Sequence, residues 1–64
     1  MKDNKLREIR ASKGLSQFDL SMMTRIPPSE ISRLENGKIY AYPGWRRKIS
    51  DALNIPEENI FLNE

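Results

Sequence analysis

Cysteine and histidine are both absent from the 64-residue chain. Without cysteine there is no disulfide, no thiolate nucleophile and no thiolate-held zinc. Without histidine the commonest general base and the commonest metal ligand are lost together. The carboxylates that remain have no phosphate-cradling loop or metal-ligand cluster beside them, so the chain reads as non-enzymatic, with no cofactor. Long apolar runs are also missing. None approaches the roughly 20 residues that cross a bilayer, and no signal-peptide core follows Met1, so a cytoplasmic protein without membrane contact is expected. Glycine is sparse at three residues, glycine and proline together make only seven of 64, and 38% of the chain is apolar, which favours a folded domain over a disordered one. Its length allows one small domain over residues 1–64, burying only about 60% of the surface of the unfolded chain.

The formal net charge is only +2, but its distribution is uneven. Residues 1–13 hold five Lys/Arg against Asp3 and Glu8. Residues 33–50 hold Arg33, Lys38, Arg46, Arg47 and Lys48 against Glu35 alone. Residues 51–64 hold four acids and no base. Such a pattern suits either solvated helix faces or a basic surface for a polyanion, with the acidic end turned away.

Helix punctuation is legible. Residues 3–13 place Leu6, Ile9, Arg10 and Lys13 on one helical side, and Gly14 stands where a left-handed residue would stop the helix. Ser16-Gln17-Phe18-Asp19 has capping-box form, so a second helix runs from Gln17 to about Thr24 with Leu20 inward. Pro27-Pro28 closes a short joint, and Pro28 opens a third helix that buries Ile31 and Leu34 and ends at Asn36-Gly37. Pro43-Gly44 opens a fourth, burying Trp45, Ile49, Ala52 and Leu53. A last short helix spans roughly Pro56–Phe61. The expected fold is all-α: a compact bundle of five short helices.

The joint between the second and third helices is only Arg25-Ile26-Pro27, too short for a long antiparallel hairpin. Two steeply crossing helices follow, in helix-turn-helix fashion. On the third helix Ile31, Leu34 and Glu35 share one side. Pro28, Ser29, Ser32, Arg33 and Asn36 share the other. Short hydroxyls can bond to either base pair and Arg pairs with guanine O6 and N7, although such a mixture also covers ordinary solvated helices.

The runs Leu6-Arg7-x-Ile9-Arg10, Lys13-Gly14-Leu15-Ser16-Gln17 and Ile31-Ser32-Arg33-Leu34-Glu35-Asn36-Gly37-Lys38 resemble the Cro/cI-type (Xre) helix-turn-helix repressors of bacteria and phages. The likeness covers about residues 4–61. It implies a lambda-repressor-like fold and a homodimer on a palindromic double-stranded DNA operator, with no small-molecule ligand. It also implies that Pro28, Ser29, Ser32 and Arg33 face the major groove, Pro28 without a donor of its own. Ser16, Gln17, Asn36 and Lys38 would meet the DNA backbone, as would Arg46 or Lys48. Asn36 competes as a helix terminator, and Gln17 as an ordinary exposed first-turn residue. Arg10 and Glu35, both inward by periodicity, match a pair that forms a structural salt bridge in this family.

Four residues depart from the family pattern: Ser21 for a small alanine, Thr24 for a large aliphatic residue, Arg25 for glycine in the turn, and Pro27 for a Ser/Thr cap. Phe18 and Met22, with Met23 beside them, are expected to fill space near Thr24 and cover Trp45 or Tyr40; the alternative is an exposed patch for a partner protein. The segment Pro56–Glu64 with the loop before the fourth helix is the expected dimer surface, unless Phe61 and Leu62 simply close the core. A sequence-specific transcriptional repressor is the leading reading. An antitoxin-like protein-interaction module on the same fold is the alternative, favoured by Glu30, the prolines and the Phe18/Met22 stripe.

Overall fold

The computed structural model describes residues 4–62 and contains five helices: α1 (Leu6–Ser12), α2 (Gln17–Thr24), α3 (Pro28–Glu35), α4 (Pro43–Leu53) and α5 (Glu57–Ile60). The described residues include no strand. The termini of the expected helices recur with one adjustment. α1 starts at Leu6 rather than at residue 3, which itself lies outside the described residues. Asn4 sets this start: its Oδ1 accepts from the Leu6 amide at 3.1 Å while its Nδ2 donates to the Leu34 carbonyl at 2.9 Å. The Lys5 amide donates to the Ile60 carbonyl at 2.8 Å, so the start of α1 is tied to both α3 and α5.

Two helices end in the same way. Gly14 (φ 72°) and Gly37 (φ 68°) are left-handed, and the amide of the residue after each donates to a carbonyl five positions back, Leu15 to Arg10 and Lys38 to Arg33. These are Schellman endings, in which glycine avoids the Cβ clash of that conformation. α2 ends instead on left-handed Arg25 (φ 63°), whose amide donates to Ser21 at 2.7 Å. A non-glycine residue there costs on the order of 1 kcal/mol. Thr24 helps hold the turn: its buried hydroxyl donates to the Leu20 carbonyl at 2.8 Å and accepts from the Ile26 amide at 3.3 Å. The substitution that removes core volume therefore supplies a hydrogen bond to the joint. Pro27 precedes α3 with no side-chain cap.

The core lies where α2 packs on α3 and α4, and α4 on α5. Leu6, Leu20, Ile26, Ile31, Leu34, Ile49, Leu53 and Ile60 are essentially inaccessible. Ile26, inside the three-residue joint, locks α2 against α3 by burying the joint itself. Trp45 and Ala52 are half-buried at the core's margin rather than fully inside it. Phe61 is buried and closes the core, so it is not part of an outward-facing dimer surface, whereas Leu62 is exposed. Positions 63 and 64 of the expected dimer segment lie outside the described residues.

Phe18 and Met22 do not fill core space beside Thr24. Phe18, Met22 and Met23 are 61%, 68% and 50% exposed. The reason is geometric. Leu20 and Thr24 form the buried stripe of α2, and residues two positions away point about 200° around a helix.

Candidate nucleic-acid interface

The buried face of α3 is held by Ile31 and Leu34. Its opposite face presents Pro28, Ser29 and Arg33 to solvent, with Ser32 half-buried. No large apolar side chain lies among them. Arg33 extends from this face but is not unpaired: its Nη1 donates to Glu30 Oε2 at 3.1 Å, one helical turn back. The pair is surface-exposed and therefore weak, so it biases the guanidinium without holding it. Asn36 and Lys38 follow at the far end of α3, both exposed. Asn36 occupies the C-cap position, and Gly37 supplies the left-handed residue that ends the helix.

At the start of α2, Ser16 and Asp19 form a reciprocal capping box. The Ser16 hydroxyl accepts from the Asp19 amide at 2.9 Å, and the Ser16 amide donates to Asp19 Oδ2 at 2.9 Å. The backbone bond, then the hydroxyl bond, from Ser16 hold the Asp19 carboxyl below its ordinary value. Gln17 is half-buried, and its Nε2 donates to Glu35 Oε1 at 3.0 Å. It is thus anchored to α3 by one amide hydrogen, rather than standing free as a first-turn residue.

Glu35 is the centre of this anchor. Its side chain is inaccessible to solvent. Arg10 Nε donates to Oε2 at 2.5 Å and Nη2 to Oε1 at 3.3 Å, while Nη1 donates to the Leu15 carbonyl at 2.6 Å. The hydrogen bond to Glu35 raises the Arg10 pKa above its ordinary value, partly opposed by desolvation. Arg7 adds a looser contact, its Nε 3.6 Å from Oε1. One buried carboxylate therefore fastens α1, α2 and α3 together.

The two candidates on α4 differ in their surroundings. Arg46 is half-buried, with its Nε 3.6 Å from Glu57 Oε1 and its guanidinium carbon 5.5 Å from the Phe61 ring centroid. That ion pair is too long for a hydrogen bond, but with the ring contact it turns Arg46 toward α5. Lys48 is exposed and lines a shallow cleft with Met23, Thr24 and Arg25. Lys48 is therefore the outward cation of the two. Arg7 and Asn4 were not singled out from the sequence. Arg7 lay within a family-like run, but only the fold shows that it shares a carboxylate with Gln17.

A model of the helix-turn-helix domain family matches residues 4–64, nearly the whole chain. The chain belongs to that family. Among solved structures, this helix-turn-helix protein is similar to the restriction-modification controller protein C.AhdI from Aeromonas hydrophila, with a TM-score of 0.84 and 32% sequence identity. The likeness covers 89% of this chain and 86% of the controller protein. No curated protein matches the chain. Fold, family and neighbour together identify a DNA-binding transcription regulator of the Cro/cI (Xre) type. Among the described residues, no helix is long and apolar enough to cross a membrane.

Proposed function

We propose that this helix-turn-helix protein is an operator-binding repressor that acts as a homodimer on palindromic duplex DNA. The observation that supports this most directly is the outer face of α3. It lies opposite a buried Ile31/Leu34 stripe and carries exposed Pro28, Ser29 and Arg33, half-buried Ser32, and Glu30 paired with Arg33 at its leading turns. A face without bulky aliphatic groups can lie in the major groove. There Arg33 would take guanine O6 and N7, Ser29 and Ser32 would bond to neighbouring base edges, and Pro28 would touch a thymine methyl. Ser16, Gln17, Asn36, Lys38 and Lys48 would hold phosphate and fix the register without reading sequence. Arg46 belongs with the α4–α5 contact in this account. The dimer surface would use the exposed Tyr42, in the loop before α4, and Leu62, in the Pro56–Glu64 segment.

Selection from random duplex DNA tests the reading. A palindrome with half-site centres about 34 Å apart should be enriched. Titration of that duplex should show log K falling linearly with log salt, by about 0.9 per phosphate contact. Enrichment of no motif would sink the proposal. It would favour the second reading, a protein-interaction module, which the exposure of Phe18, Met22 and Met23 supports.

A further inference from the structure

The charge balance around Glu35 leaves one cation over. Arg10 alone engages both carboxylate oxygens and neutralises the buried charge. Arg7 is a second cation on the same group, yet its Nε is 3.6 Å from Oε1 and its side chain is 65% exposed. A contact that long and that wet contributes little to stability. Oε1 is also the atom that accepts from Gln17 Nε2. Arg7 on α1 and Gln17 on α2, far apart in sequence, are thus gathered around one oxygen, with a net positive charge between them. The Gln17 amide nitrogen has a second N–H beyond the one given to Glu35. A guanidinium beside an amide N–H matches the oxygens of a phosphodiester.

We propose that Arg7 is a DNA-backbone residue that closes with Gln17 on a phosphate of the duplex, and that Glu35 is the positioning residue for both. This rests on the reading of the start of α2 as backbone-facing. In this arrangement the buried Arg10–Glu35 pair is the mount, and Arg7 is the solvent-exposed charge held beside it. The phosphate would replace a weak contact to an already neutralised carboxylate with an unshared anionic partner.

The test is Arg7→Gln in the full chain, titrated on the selected palindrome and on an unrelated duplex across several salt concentrations. Affinity should fall about fivefold near physiological salt, equally on both duplexes, and the salt slope should shrink by about 0.9. The urea midpoint should not move. An unchanged slope, or an affinity loss accompanied by a matching stability loss, would overturn the assignment. Arg33→Ala in parallel separates this from the broader reading. If Arg33→Ala relaxes base preference while Arg7→Gln binds like the parent, only the role of Arg7 fails. If the parent protein selects no duplex, operator binding fails and this role with it.

Discussion

Arg10 grips Glu35 with two hydrogen bonds and uses its remaining nitrogen on the Leu15 carbonyl, so that one guanidinium joins α1, α3 and the α1–α2 turn. Because the Glu35 side chain is inaccessible, removing its partner strands a buried charge. Arg10→Ala is predicted to cost about 3–5 kcal/mol, measured by urea melts. A loss below about 1 kcal/mol would contradict the pairing as a buried structural contact. Since the folded Arg10 pKa is raised, its stabilisation is complete below the ordinary guanidinium value and is lost only above the raised one. Loss of the Arg10 proton is therefore not expected to weaken the fold at any pH where the chain would ordinarily be handled.

Asp19 sets the opposite sign. A carboxyl held low contributes stability above its ordinary value, and loses that contribution as pH falls through the lower folded value. Ser16→Ala removes the hydroxyl part of the cause, so the Asp19 resonance should titrate closer to an ordinary carboxyl in an NMR pH series. A titration curve identical to that of the parent would contradict the capping-box account.

Arg25 occupies a conformation that favours glycine. Arg25→Gly is predicted to stabilise the fold by about 1 kcal/mol, read as a higher urea midpoint. Arg25→Ala keeps the strained φ and should gain nothing.

The Glu30–Arg33 pair tempers the reading face. Glu30→Gln should release Arg33 and remove a like charge from the phosphates, raising affinity on the selected duplex about two- to threefold. An unchanged or lower affinity would place Glu30 in a direct contact with a base, for example as an acceptor from cytosine N4.

Much of this architecture was legible in the sequence because local chemistry marked the helix ends. Ser16 and Asp19 announce α2, Pro28 opens α3, and Gly14 and Gly37 each end a helix with a left-handed residue. What escaped depends on tertiary proximity. Asn4 starts α1 by bonding to Leu34, thirty positions away, and no local pattern encodes that. Gln17, Arg7 and Arg10 converge on Glu35 only once three helices are packed. The outward direction of Phe18 and Met22 was recoverable from sequence, since Leu20 and Thr24 already define the opposite face of α2. The apolar character of the two residues suggested burial, whereas their angle on the helix required exposure.

In the proposed complex α3 reads the major groove through Arg33. Guanine N7 is an acceptor found only in that groove. The most direct measurement is an anisotropy titration of the selected duplex against the same duplex carrying 7-deazaguanine in each half-site, for the parent protein and for Arg33→Ala. The parent should lose about 1 kcal/mol or more on the modified duplex, while Arg33→Ala should bind both duplexes equally. Equal binding of the two duplexes by the parent protein would contradict it.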